Sequence, residues 1–171
     1  MTRRQPPIGP SVVFLLVAFA GGCTASASDA PSEPHTAATS PVEAGRYLAT
    51  VAGCNDCHTD GYLFNGGNVP EAERFLGSSL GWRGPWGTSY ARNLRLTVST
   101  LTEDAWVQLL KTRTSLPPMP WMNVRQMAEV DMRSLYQYFR SLGPVGEQPP
   151  NPVPPEQEPT TPFLSLVPVG Q

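Results

Sequence analysis

Cys54-Asn55-Asp56-Cys57-His58 sits within residues 51–60, VAGCNDCHTD, and its reading decides the fold. Two cysteines three apart, followed directly by histidine, form the attachment motif for a c-type haem. On a helix, positions i, i+3 and i+4 share a face. Cys54 and Cys57 can then form thioethers to two haem vinyl groups while His58 reaches the iron from the same side. In a chain of this composition chance yields the motif on the order of 0.0006 times per sequence. A dithiol redox site calls for a βαβ context, which the sequence lacks. Zinc needs more ligands, and the only other histidine, His35, lies in a polar upstream segment. One motif implies one haem.

The two ends account for the unusual composition of this 171-residue chain, with its 20 prolines. Arg3 and Arg4 precede the apolar run Val12–Ala20 and then Gly21-Gly22-Cys23, the pattern of a secretory signal peptide over residues 1–22. Nine apolar residues fall short of the roughly 20 that a membrane-spanning helix requires. Small residues directly before Cys23 resemble a bacterial lipobox, with alanine in the usual leucine position, so Cys23 is the expected lipidation site. The alternative is ordinary secretion with cleavage nearby. Without residues 1–22 the chain holds ten basic and 14 acidic residues, a net charge of −4. That balance excludes the basic stripe of a nucleic-acid binder. Residues 23–40 are small, polar and broken by proline, and read as a flexible tether. Residues 144–171 carry nine prolines and read as an extended, polyproline-like tail whose apolar PFLSLVP segment can dock on this domain or on a partner. The folded domain is then residues 41–143.

Within it, Ser40-Pro41-Val42-Glu43 forms a capping box with proline at the first helical position, so a helix runs from Pro41 to the motif. Thr102 caps a second helix, with Glu103 and Asp104 in its first turn and Leu101 and Trp106 as a hydrophobic staple. That start explains the acidic pair without an acid–base role. The third helix is AEVDMRSLYQYFRSLG, residues 128–143, stopped by Gly143 and Pro144. Residues 59–100 are long and glycine-rich and yield no assigned element. A haem, as a large apolar disc, would supply the interior such a stretch lacks.

Soft thioether sulfur is a ligand for iron as well as core filler. In LPPMPWMNVRQM, residues 116–127, Met127 pairs with Met132 as the staple of the third helix. Met119 lies between Pro117-Pro118 and Pro120, in backbone stiffened by proline. It is favoured as the sixth iron ligand over Met122, whose expected role is packing. Trp121, Tyr90, Arg92 and Asn93 offer polar groups to haem propionates, and Trp82 and Trp86 are expected to cover the haem edge.

These residues resemble the class I cytochromes c, over residues 41–143. The resemblance is closest to monohaem or multihaem cytochrome subunits of bacterial periplasmic dehydrogenases, through GRYLATVAGCNDCHT, YARNL, PPMPWMNV and YFRSLGPV. It implies an all-α cytochrome c fold of three or more helices and a long loop around one covalent haem c. It also implies Cys54 and Cys57 as attachment residues, His58 as proximal and Met119 as distal iron ligand. Gly45 would pack against the third helix near Tyr138. Arg95-Leu96-Thr97 replaces the usual Thr-Pro-Asp, and Ala128 replaces a Ser or Thr cap.

The expected function is electron transfer rather than catalysis, because His and Met together leave iron no open position. The expected partners are redox proteins (a dehydrogenase, an oxidase or another cytochrome), together with a membrane surface reached through Cys23. The expected location is the bacterial periplasm. A non-catalytic subunit of a dehydrogenase or oxidase complex, an open-site haem enzyme such as a peroxidase, and a gas sensor are the alternatives.

Overall fold

The computed structural model describes residues 1–2 and 36–167. The signal-peptide and lipidation readings, including Cys23, lie outside the described residues. All described secondary structure belongs to the unit Pro31–Gln171. Among the described residues no helix is long and apolar enough to cross a membrane.

The first helix, α1 (Pro41–Val51), begins at Ser40, whose hydroxyl accepts from Glu43 N at 3.2 Å, with Pro41 in the first turn. The other half of the expected capping box is altered. The Glu43 carboxylate accepts from Thr39, through its backbone N–H and its hydroxyl, rather than from Ser40 N–H. A short helix, α2 (Cys54–His58), follows after Gly53, whose φ of +69° breaks the helical path. The stretch 59–100 contains a 3₁₀ turn at Glu71–Glu73, the strands β1 (Gly81–Gly84) and β2 (Gly87–Ser89), and α3 (Leu94–Ser99). Then come α4 (Glu103–Thr112), α5 (Trp121–Val124) and α6 (Glu129–Ser141). Thr102 caps α4 by accepting from Ala105 N, and Ala128 stands at the cap position of α6 with no side-chain bond.

The dominant packing is α1 across α6. Gly45 permits it: a Cβ there would lie 2.1 Å from Ser134 O and 2.7 Å from Tyr138 Cβ. The core on this seam holds Ala49, Phe75, Met132, Leu135, Tyr138 and Phe139, joined by Val98 from α3 and by Trp106, Val107 and Leu110 from α4. Trp106 Nε1 donates to Met132 O at 2.9 Å, tying α4 to α6. Arg133 of α6 pairs with Glu103 and Asp104 of α4 and with Glu129 one turn back.

The all-α expectation does not hold. Among the described residues the fold is mixed, with six helices and a three-stranded sheet in the order β2-β1-β3, where β3 is Phe163–Ser165 in the C-terminal tail. β1 and β2 form an antiparallel hairpin in the register Trp82↔Ser89 and Arg83↔Thr88. β3 lies parallel to β1, with Gly81↔Phe163 and Trp82↔Leu164. Strands of three or four residues are too short to show alternation and are not stable alone. This sheet exists because the tail returns to it across some eighty residues of chain.

The tail is extended but laid along the domain. Asn93 Nδ2 donates to Val145 O and Glu147 O, and Thr88 and Val153 exchange both backbone hydrogen bonds. Arg83 donates to Pro155 O, Gln157 O and the Glu158 carboxylate. Arg95 is buried and gives its guanidinium to the carbonyls of Ala72, Leu142 and Gly143. It thereby caps the C-terminal end of α6, where a cation also suits the helix dipole.

Candidate haem site

Cys54 and Cys57 are separate thiols on the single turn of α2. Cys54 packs against the apolar core cluster, and burial, then the nearby Asp56 charge, push its thiol up to about 11. Burial and Asp56 raise the Cys57 thiol as well. Dithiol exchange needs a lowered thiol pKa, so these shifts run against that chemistry.

His58 is buried, and its Nδ1 lies 2.7 Å from the backbone carbonyl of Arg92. A carbonyl only accepts, so Nδ1 carries the proton and donates. Burial lowers the imidazole pKa, while the Arg92 contact acts in the opposite direction. A neutral ring protonated on Nδ1 leaves the Nε2 lone pair for a metal, the arrangement that orients metal-binding histidines in general. The main chain is held too: His58 O accepts from Gly77 N at 2.8 Å. Next to it, the Thr59 hydroxyl donates to Asn55 Oδ1 and accepts from Phe75 N, both at 2.9 Å. Phe75 is a core residue held at φ +63°, a conformation costing about 1–3 kcal/mol that its burial must offset.

The loop after α4 carries the candidate distal ligand. Ser89 Oγ of β2 donates to Pro117 O, and the Pro117–Pro118 peptide bond is cis. Met119 is half-buried, and its carbonyl accepts from Trp121 N at 2.9 Å. Cys54 and Trp121 pack against the same apolar cluster, so one core serves both α2 and the segment that follows Met119. Met119 itself stands outside that cluster. Met127 packs on it and Met132 lies within it, as the staple reading requires. Met122 is 66% exposed, so the packing role expected for it is not what it does here.

The polar residues sort differently from expectation. Tyr90 hydroxyl shares a hydrogen bond with Thr161 at 2.9 Å, and the Arg92 guanidinium donates to Pro149 O at 3.1 Å. Asn93 caps α3 and binds the tail. In contrast, Trp86 Nε1 and Trp121 Nε1 are buried with no hydrogen-bond partner, as is Asn55 Nδ2. An unpaired buried donor costs about 1–3 kcal/mol, a cost that an acceptor from water or from a bound group would relieve. Propionate carboxylates are such acceptors.

A seam beside Cys57, of about 10 Å³, is lined by Tyr62, Leu63, Phe64, Leu80, Trp82 and Leu164. It is too small for a porphyrin, so the fit to haem is one of donor chemistry: two thiols and an oriented imidazole on one turn, plus two orphaned indoles. Among the described residues no group of three or more His, Cys, Asp or Glu side chains could hold a metal ion by itself. A haem iron needs none, since the porphyrin supplies four nitrogens.

Comparison with protein-family models, with curated proteins and with solved structures returned no match for this chain. The functional reading therefore rests on the site. Two contributors escaped sequence reasoning. One is the Arg92 carbonyl, which carries no sequence signal because every residue has one. The other is the tail segment around Gln148, whose composition suggested only an extended chain.

Proposed function

We propose that this chain is a single-electron carrier of the bacterial periplasm, holding one covalent c-type haem and tethered to a membrane surface through a lipid on Cys23. The observation that carries the reading is His58, set one turn from two free thiols with Nδ1 committed to Arg92 O and Nε2 left available.

The haem, when bound, supplies a metal that gains and loses one electron. The chain does the rest. Cys54 and Cys57 would hold the group by thioethers, and the Arg92 carbonyl keeps His58 in one tautomer and one orientation. Met119, in its proline-braced loop, would be the second side chain to hold the iron. Thioether ligation in place of a second imidazole raises the potential. Trp86 and Trp121 would donate to the propionates, which would relieve two buried unpaired N–H groups. With the iron held by two side chains, the site would serve outer-sphere electron transfer rather than substrate chemistry. A lipid anchor and a tether raise the local concentration of redox partners on the membrane, whether dehydrogenase, oxidase or another cytochrome.

The test is to express the full chain with a c-type haem maturation system and record its mass and visible spectrum. Covalent haem on Cys54 and Cys57 is expected, with the weak long-wavelength band of methionine on ferric iron. That band should vanish in Met119→Ala and persist in Met122→Ala. The reverse pattern refutes the ligand assignment, and a chain that takes no haem refutes the function.

A second reading, a haem subunit fixed in a dehydrogenase or oxidase complex, is favoured by the exposed apolar side chains Phe163, Leu164, Leu166 and Val167 along one short segment. It requires co-migration with a larger complex in native extracts, lost when the chain ends at Thr160.

A further inference from the structure

We infer that the C-terminal tail, through residues 145–150, is the positioning element of His58, with Gln148 as its central residue. The inference rests on the haem reading only for its consequence, since the contacts belong to the chain itself.

The links form a closed circuit around the proximal histidine. The His58 ring donates to Arg92 O at 2.7 Å, and the Arg92 side chain donates back to Pro149 O at 3.1 Å and Pro150 O at 3.4 Å. The next residue, Asn93, is fully buried, and one side chain holds both its backbone N–H and its carbonyl. Gln148 Oε1 accepts from Asn93 N at 3.2 Å, while Gln148 Nε2 donates to Asn93 O at 3.3 Å. Asn93 Nδ2 binds Val145 O at 2.9 Å and Glu147 O at 3.3 Å. On the other side, His58 O accepts from Gly77 N, and Gly77 lies against the tail. A Cβ at residue 77 would fall 2.5 Å from Pro149 Cγ, and φ is +79°, so only glycine admits the proline ring there.

The carbonyl that sets the His58 tautomer thus belongs to a two-residue segment clamped from outside by the tail. Hydrogen bonds to the non-ligating nitrogen of a metal-bound histidine tune its orientation and basicity. Here the tuning carbonyl is held by residues more than fifty positions further along the chain. The β3 pairing and the Arg83 contacts hold later parts of the tail and do not touch this circuit.

The experiment reads the proton itself. In the full-length protein as isolated, with covalent haem scored separately by mass, ¹⁵N NMR gives the exchange rate of the His58 Nδ1–H in the reduced, diamagnetic state. Gln148→Ala and a chain ending at Glu147 should each speed that exchange, the truncation by about tenfold or more, as expected when several hydrogen bonds restraining a local opening are removed. A chain ending at Pro159, which loses β3 but keeps residues 145–150, should exchange within about twofold of the parent. Should the Glu147 chain fail to fold, Gln148→Ala decides alone. A parental exchange rate in folded Gln148→Ala overturns the inference. Equal acceleration in the Pro159 chain also overturns it, because the effect would then be general loosening. If the chain carries no haem, the haem reading fails, and the same comparison on the haem-free protein still tests the clamp.

Discussion

Gly45→Ala adds one methyl group at the crossing of α1 and α6, and the structure sets its cost. The new Cβ would lie 2.1 Å from Ser134 O, where ordinary contact begins at 3.4 Å, a deficit of about 1.3 Å. Ser134 O and its carbonyl carbon, at 2.6 Å, are backbone atoms of a helix and cannot rotate aside. The two helices must part. A radial gap of 0.5–1 Å already forfeits about a quarter to a half of a dispersion contact, and this seam is lined by Ala49, Met132, Leu135 and Tyr138. Overpacking costs about 1–3 kcal/mol in general, and backbone against backbone belongs at or above the top of that range. Replacing a mid-helix glycine by alanine returns about 1 kcal/mol. The net expectation is a loss of about 2 kcal/mol, or about 10 °C in a domain of this size. Thermal unfolding of the haem-loaded protein, followed by far-UV circular dichroism, gives the number. Thr50→Ala, on the exposed face of α1, is the control for a change away from the crossing and should shift stability by no more than about 0.5 kcal/mol. A Gly45→Ala protein melting at or above the parent temperature refutes the close-packing argument.

The orphaned indoles give a prediction whose sign discriminates. Trp86→Phe and Trp121→Phe should each cost the haem-loaded protein about 1.5–3 kcal/mol if a propionate accepts from them, with Trp82→Phe as the size control. A midpoint of urea unfolding no lower than that of the control sinks the propionate role, since removing an unsatisfied N–H should help. Glu129 gives a pH dependence. Hydrogen bonds from Lys111 and Arg133 depress its carboxyl from 4.5 to about 2. A depressed folded value means that the stabilisation is present above about pH 4.5 and is lost as pH falls towards 2. Urea midpoints measured across that window should fall less steeply in Glu129→Gln, and identical slopes would refute the assignment.

Local chemistry made parts of this protein legible. Ser40 with Pro41, Thr102, and Gly143 with Pro144 mark helix ends through groups a few residues apart. The three helices they delimit are the ones that pack at the core. CNDCH is readable for the same reason, as Cys54, Cys57 and His58 lie on one turn. Gly45 was expected from the resemblance to be a contact glycine, and the α1–α6 crossing makes it one. The sheet was illegible because β1 is four residues, two of them glycine, and its parallel partner lies in a proline-rich tail. Tyr90, Arg92 and Asn93 stood out as polar groups needing partners. The sequence held no cue that the tail would provide them, because backbone carbonyls of residues 145–150 and the Thr161 hydroxyl have no pattern to read.

By itself, then, the sequence determined the CNDCH turn and the boundaries of the main helices, all written in residues near one another. Tertiary structure alone decided which carbonyl receives the His58 proton, how the tail returns to form a sheet, and which indoles are left without acceptors. Those outcomes depend on backbone groups common to every residue, and such groups acquire an identity only when folding brings distant chain into contact.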